Sequence, residues 1–365
     1  MKWSMKIARL AGIDIQIHAT FLLIIAWVGF SYYLANGTLQ AVVAGIAFLL
    51  AMFLCVVLHE LGHALAARRF GIQTRDITLL PIGGVARLER MPEKPMQELW
   101  VALAGPAVNI IISAALLVVL LVTGTFPTMN ALSITGGAFL ERLLVVNLFL
   151  AFFNLIPAFP MDGGRVVRAL LATRLPYTRA TQIAATLGQV LAFVFGFIGL
   201  FTNPFLVFIA FFVYIGAAQE ASLVQMKSAL SGIPVSQAML TEFRLLNEGE
   251  PLSRAVELLM STTQQDFPVL SGERVVGVLT RKSLVDALRR LGQNAPVSAA
   301  MECKFESAHT GDMLDEVSNK LQEHECHTLP VLANGQLVGL ITMENIGEFL
   351  MIRSALEKAR SGAAR

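Results

Sequence analysis

"FLCVVLHELGHALAARRF", residues 53–70, decides how this chain is read. Its first half is an apolar run of the kind that crosses a bilayer. Its second half carries His59, Glu60 and His63. An ionisable side chain at membrane depth costs several kcal/mol, roughly 3 on insertion scales. Three of them within five positions call for a common partner that offsets the cost. On a helix, residues four apart share a face. His59 and His63 can therefore bind one Zn²⁺, with Glu60 between them directed at the metal site as a base.

Composition supports a membrane setting. Of 365 residues, 55% are hydrophobic and 15% are charged, against about 25% charged in soluble proteins. The net charge of +2 gives no basis for nucleic acid binding. Cys55, Cys303 and Cys326 are scattered and odd in number, which argues against a disulfide framework. A membrane span needs about 20 apolar residues. Candidates lie at about 17–34, 39–70, 99–123, 139–171, 182–201 and 204–223. The second and fourth are too long and too interrupted for simple spans. Basic residues cluster before the first (Lys2, Lys6, Arg9), after the second (Arg68 to Lys94) and after the fourth (Arg165, Arg168, Arg174, Arg179). With about six spans all these clusters fall on one side, which places both termini in the cytoplasm. No small-residue cleavage site follows a short apolar core, so the N-terminus does not read as a removed signal peptide. The chain reads as an integral, multi-pass protein of the cell (inner or plasma) membrane.

Between the second and third candidates, residues 74–80 and 85–90 alternate around Pro81-Ile82-Gly83-Gly84, which predicts a β-hairpin. Catalytic zinc takes three protein ligands and leaves one position open, so two histidines are one ligand short. The stretch "NLFLAFFNLIPAFPMDGGRVVRALL", starting at Asn147, offers the third. Pro157 and Pro160 break the fourth candidate, and Gly163-Gly164 follow Asp162. Non-helical backbone at membrane depth is tolerated where it lines a cavity or is buried in protein. Asp162 on such a break is either the third ligand or a cap of the helix that follows.

The motif pair His59-Glu60-Leu61-Gly62-His63 and "NLIPAFPMDGGR" resembles the site-2 protease family of intramembrane metalloproteases. The resemblance covers about residues 1–225. It implies His59, His63 and Asp162 as zinc ligands and Glu60 as the base. It further implies that Asn154 helps to hold the substrate carbonyl. "AGPAVN", with Gly105, Pro106 and Asn109, resembles a further motif of this family, and reads equally as close helix packing around a satisfied core amide. His18 reads as a structural or interfacial histidine. The stretch between HELGH and the third span is too short for the PDZ domain that some members carry there. The implied partners are a transmembrane protein substrate and the lipid bilayer; self-association is left open. The predicted hairpin is either a surface element or a strand edge that receives substrate.

Beyond about residue 225 the chain repeats. "VSQAM" at 235 returns as "VSAAM" at 297, and Pro268/Pro330, Gly277/Gly339 and Thr280/Thr342 are each 62 residues apart. A fixed period marks a duplicated unit, here reading helix, strand, strand, helix. The pattern resembles a CBS-domain pair, at about 233–294 and 295–352, preceded by a linker at 226–232 from the membrane half and followed by a tail at 353–365. Such pairs commonly bind adenine nucleotides, with an Asp three residues after the Thr meeting the ribose. Here those positions are Ser283 and Asn345, which weakens the case for an adenine nucleotide beside Thr280 and Thr342. His324, Cys326 and His327 cluster ahead of a core strand and read as structural.

The expected architecture is a multi-span α-helical membrane protein, with about six transmembrane helices and one β-hairpin, followed by an α/β CBS-pair domain. The expected activity is zinc-dependent intramembrane proteolysis under CBS control. A transporter would use Asp162 and His59 for ions but leaves Glu60 without a role. A non-catalytic binding protein would not need the intact motif.

Overall fold

The computed structural model describes residues 3–81, 83–89, 92, 94–124, 138–323 and 328–362. The chain divides into two units, Met1–Val224 and Gln225–Arg365.

The first unit opens with two strands, β1 (Ser4–Leu10) and β2 (Ile13–His18), joined at Ala11-Gly12, both at positive φ. Two consecutive residues in that region form the tight turn that suits a two-residue hairpin. Helices α1 (Phe21–Asn36) and α2 (Leu39–Arg69) follow, then β3 (Thr74–Leu80) and β4 (Gly83–Leu88). The strands form one sheet in the order β1-β2-β3-β4, with β2 parallel to β3 and the other pairs antiparallel. The predicted hairpin is therefore half of a four-stranded sheet, and β4 is a terminal strand. Alternation turns Ile13, Ile15, Ile77 and Leu79 inward, and they pack with Phe53, Val57 and Ala64 of α2. That contact lays the sheet along the helix that carries HELGH.

The remaining helices of this unit are α3 (Pro95–Val122), α4 (Phe139–Asn154), α5 (Asp162–Ala172), α6 (Tyr177–Thr202) and α7 (Pro204–Leu230). Among the described residues, α2, α3, α6 and α7 are long and apolar enough to cross a membrane. A shorter apolar helix, α1, stands beside these four. The first candidate loses residues 17 and 18 to β2, and α1 has 16 residues. The fourth is stopped at Asn154, ahead of Pro157 and Pro160. The second is not interrupted: α2 is one helix of 31 residues, about 46 Å long. Its glycines are contact points rather than breaks. A Cβ on Gly45 would meet the Tyr32 ring at 2.7 Å, and one on Gly62 the Ala104 carbonyl oxygen at 2.9 Å. Thr38 caps α2 at one end, and Arg68 and Arg69 complement the helix dipole at the other.

In the second unit the repeat is visible in the core. Leu246, Leu252, Phe267, Val269, Leu279 and Leu284 of one cluster answer to Ala308, Leu314, Leu329, Val331, Ile341 and Ile346 of the other. The first repeat contains β5 (Leu246–Asn247), α8 (Leu252–Ser261), β6 (Phe267–Ser271), β7 (Arg274–Leu279) and α9 (Arg281–Leu291). The second contains β8 (Ala308–His309), α10 (Leu314–Glu323), β9 (Thr328–Ala333), β10 (Gln336–Thr342) and α11 (Met343–Gly362). Each forms a three-stranded sheet. The repeats exchange their leading segments. Leu230, Ile233 and Val235 pack in the core of the second, and Val297 packs in that of the first. The stretch expected as a linker is helical as far as Leu230. His324, Cys326 and His327, like Lys2, Ile82 and Arg90, lie outside the described residues.

Candidate metal centre

Three donors meet at one point in the first unit. His59 Nε2 lies 3.1 Å from His63 Nε2. Asp162 Oδ2 lies 3.3 Å from the first and 3.0 Å from the second. All three residues are buried and together can hold a metal ion. Two ligands at 2.0–2.1 Å from a tetrahedral zinc stand about 3.4 Å apart, so the donor set and its spacing fit zinc. The sequence distance from His63 to Asp162 is bridged by α3, which packs against α2, α4 and α5.

Each donor is aimed by its own element. His63 Nδ1 lies 2.7 Å from the Val101 carbonyl oxygen. A carbonyl only accepts, so Nδ1 carries a proton, and in the neutral ring Nε2 keeps its lone pair. Asp162 is the first residue of α5, yet its Oδ2 faces the imidazoles instead of capping that helix. Its Oδ1 lies 3.9 Å from Arg165 Nη1. Gly163 and Gly164 bring the preceding loop onto the start of the helix, since a Cβ on Gly163 would stand 2.2 Å from the Ile156 carbonyl oxygen. Glu60 is half-buried between two buried histidines. A Cβ on Gly84 of β4 would meet its Cγ at 2.9 Å, so the terminal strand passes directly over it. Asn154 ends α4 and donates from Nδ2 to Leu150 within its own helix, at 3.0 Å. His18 sits outside this centre and bonds Thr20 at the start of α1.

One residue was misjudged from sequence. Arg168 counted there as a loop cation, but it is fully buried in α5. Its Nε donates to Glu98 of α3 at 2.7 Å and its Nη1 to Glu220 of α7 at 2.5 Å. Its guanidinium also lies over the Phe159 and Tyr177 rings. The clamp ties the helix that begins with Asp162 to two others. An Arg six residues after the metal-ligand candidate, with glutamates in otherwise apolar helices, was the available signal.

Peptidase family M50 matches residues 47–136 and 129–195. A zinc metalloprotease of Methanocaldococcus jannaschii is 35% identical over 281 residues, covering 76% of this chain and 78% of that protein. The chain belongs to peptidase family M50. Stage IV sporulation protein FB of Bacillus subtilis is 31% identical over 172 residues, 47% of this chain and 52% of that one. The solved site-2 protease from Methanocaldococcus jannaschii is 40% identical, with a TM-score of 0.44 over 60% of this chain and 95% of that one. Membership of M50 makes the chain a zinc metalloprotease of the membrane. The CBS domain matches residues 235–290 and 297–351, so this family member carries a CBS pair.

The two repeats treat their shared threonine alike and its surroundings differently. Thr280 and Thr342 each cap a helix, accepting from the backbone N–H of Ser283 at 3.1 Å and Asn345 at 3.2 Å. In the first repeat Ser283 Oγ donates to Glu302 Oε1 at 2.8 Å, and Thr280 Oγ1 lies 3.3 Å from the same oxygen. Leu240 holds the position equivalent to Glu302. Beside Thr342 and Asn345 lies a groove of about 1120 Å³, lined also by Leu240, Arg244, Asp266 and Glu348.

Proposed function

We propose that the chain is a zinc-dependent intramembrane endopeptidase that cleaves transmembrane segments of other membrane proteins. The observation that carries this reading is the convergence of His59 and His63 of α2, a helix of span length, with Asp162 of α5, beside Glu60. The first three are assigned as the zinc ligands. A zinc ion held there supplies Lewis acidity toward a water molecule and the scissile carbonyl. Glu60 takes the proton from the attacking water and returns it to the leaving amine. Asn154 has a second N–H besides the one given to Leu150, and it is assigned to the substrate carbonyl.

A transmembrane helix has satisfied its own backbone bonds, so a substrate must unwind before it is cut. The terminal strand β4 offers an edge on which the extended segment can pair. Gly84 sets that edge against Glu60. His63 precedes Arg68 by five residues, roughly 7.5 Å along a helix. We therefore place the site inside the bilayer near its cytoplasmic face, with both termini on that side.

Residues 1–225 are assigned to the protease, 226–232 to the connection, 233–352 to the regulatory CBS pair and 353–365 to a tail. The Ser283–Glu302 bond, which engages the first ligand-facing hydroxyl, and the missing carboxylates at Ser283 and Asn345 support regulation with weak adenine nucleotide binding. The test is cleavage of single-span membrane proteins by the wild type and by Glu60→Gln. Equal cleavage by both would reject the reading.

A further inference from the structure

Four buried polar atoms near the metal centre have no hydrogen-bond partner among the described residues. They are His59 Nδ1, both amide atoms of Asn109, and Asn147 Oδ1. Asn109 and Asn147 are fully buried. Buried polar groups are nearly always paired, with protein or with ordered water, so four orphans in one region call for a common account.

The helices place them together. α2 and α3 run antiparallel at this point. His63 meets Val101, and a Cβ on Gly105 would stand 2.1 Å from His63 Nε2 and 2.7 Å from His59 Nε2. Stepping one turn back along α2 therefore steps one turn forward along α3, and Asn109 follows Gly105 by four residues on the same face. From α4, Asn147 reaches the same part of α2, with Nδ2 3.3 Å from Cys55 Sγ and 2.8 Å from the Leu143 carbonyl oxygen. Cys55 lies one turn before His59. Ser113 is no partner for the Asn109 side chain, because its Oγ donates to the Asn109 backbone carbonyl.

We propose that Asn109 is a positioning residue for His59 and that Asn147 backs it. His59 Nδ1–H donates toward Asn109 Oδ1, and Asn109 Nδ2–H toward Asn147 Oδ1, each through one buried water. That chain of two bridges satisfies all four orphan atoms. It also fixes the proton on Nδ1 and leaves the Nε2 lone pair for the metal, which for His63 is done by the Val101 carbonyl. The inference rests on the reading of His59 as a zinc ligand. It gives Asn109 of "AGPAVN" a part in the metal site rather than in packing alone.

The test is zinc affinity of the full-length protein in detergent, by competition with a chelator of known strength, for wild type, His59→Ala, Asn109→Leu and Asn109→Asp. Leu keeps the approximate volume and removes the acceptor, whereas Asp keeps an acceptor of the same shape. The expected result is a loss of about 10–100-fold for Asn109→Leu, with near wild-type affinity for Asn109→Asp. Unchanged zinc affinity in Asn109→Leu overturns the inference, as does an equal loss in Asn109→Asp. If Asn109→Leu fails to fold, a loss of zinc affinity in Asn109→Asp still overturns the inference. Wild-type affinity in His59→Ala would instead reject the underlying ligand assignment.

Discussion

Gly105 of α3 lies so close to His63 of α2 that a Cβ built on it would stand 2.1 Å from Nε2. The atoms it would meet belong to the zinc-ligand candidates, so the clash cannot relax without displacing a donor. Gly105→Ala is expected to lower zinc content at least tenfold, on the scale of altered support around a metal site. Metal analysis of the purified variant checks this, and full zinc content would mean that α3 can retreat.

Asp162→Ala removes one of three donors and should lower zinc occupancy together with activity. Full occupancy with lost activity would make Asp162 a substrate-positioning residue instead.

Arg168 is buried between Glu98 and Glu220. Removing one partner of a buried ion pair leaves an uncompensated charge, at a cost of about 3–5 kcal/mol. Arg168→Met should therefore lower the melting temperature of the detergent-solubilised protein well below that of Arg165→Met, whose guanidinium is partly exposed and only 3.9 Å from Asp162 Oδ1. Equal melting temperatures would show that the clamp contributes no stability.

A branched side chain at position 84 must push Glu60, since even a Cβ there meets Glu60 Cγ at 2.9 Å and Val56 Cγ1 at 3.0 Å. Gly84→Val is expected to keep zinc and lose turnover by about a hundredfold, the effect of misplacing a catalytic group by 1 Å. Zinc content and single-turnover cleavage measured on one preparation separate the two effects.

Much of this centre was legible in the sequence. His59, Glu60 and His63 stand out because each is costly in an apolar run, and Asp162 because prolines and glycines surround it. The hairpin at 74–88 was legible from alternation around Gly83-Gly84. The strands before it were not read, although "IDIQIH" alternates after Ala11-Gly12, because Ile17 also begins a long apolar run. Arg168 was misread for a general reason. A count of cations along a chain does not show which of them face glutamates on other helices. The unity of α2 was not read either, since an apolar run of that length carrying His59, Glu60 and His63 looked interrupted, whereas Gly45 and Gly62 are points of close contact with Tyr32 and Ala104. Glu302 gave no signal, since its effect on Thr280 and Ser283 depends on how the two repeats exchange segments.

For the CBS pair, each missing charge-assisted bond at Ser283 and Asn345 is worth roughly 1.5–3 kcal/mol, about tenfold to a hundredfold in affinity. Calorimetric titration of the full-length protein with AMP or ATP should show no low-micromolar site. Low-micromolar binding abolished by Asn345→Ala would restore an adenine-nucleotide sensor.

The most direct test is cleavage by Glu60→Gln of a single-span membrane protein that the wild type cleaves, with zinc measured on the same preparations. The substitution leaves His59, His63 and Asp162 untouched and removes only the proton carrier. The account predicts wild-type zinc content with turnover reduced by about a hundredfold or more. Zinc retained with cleavage near the wild-type rate would contradict it.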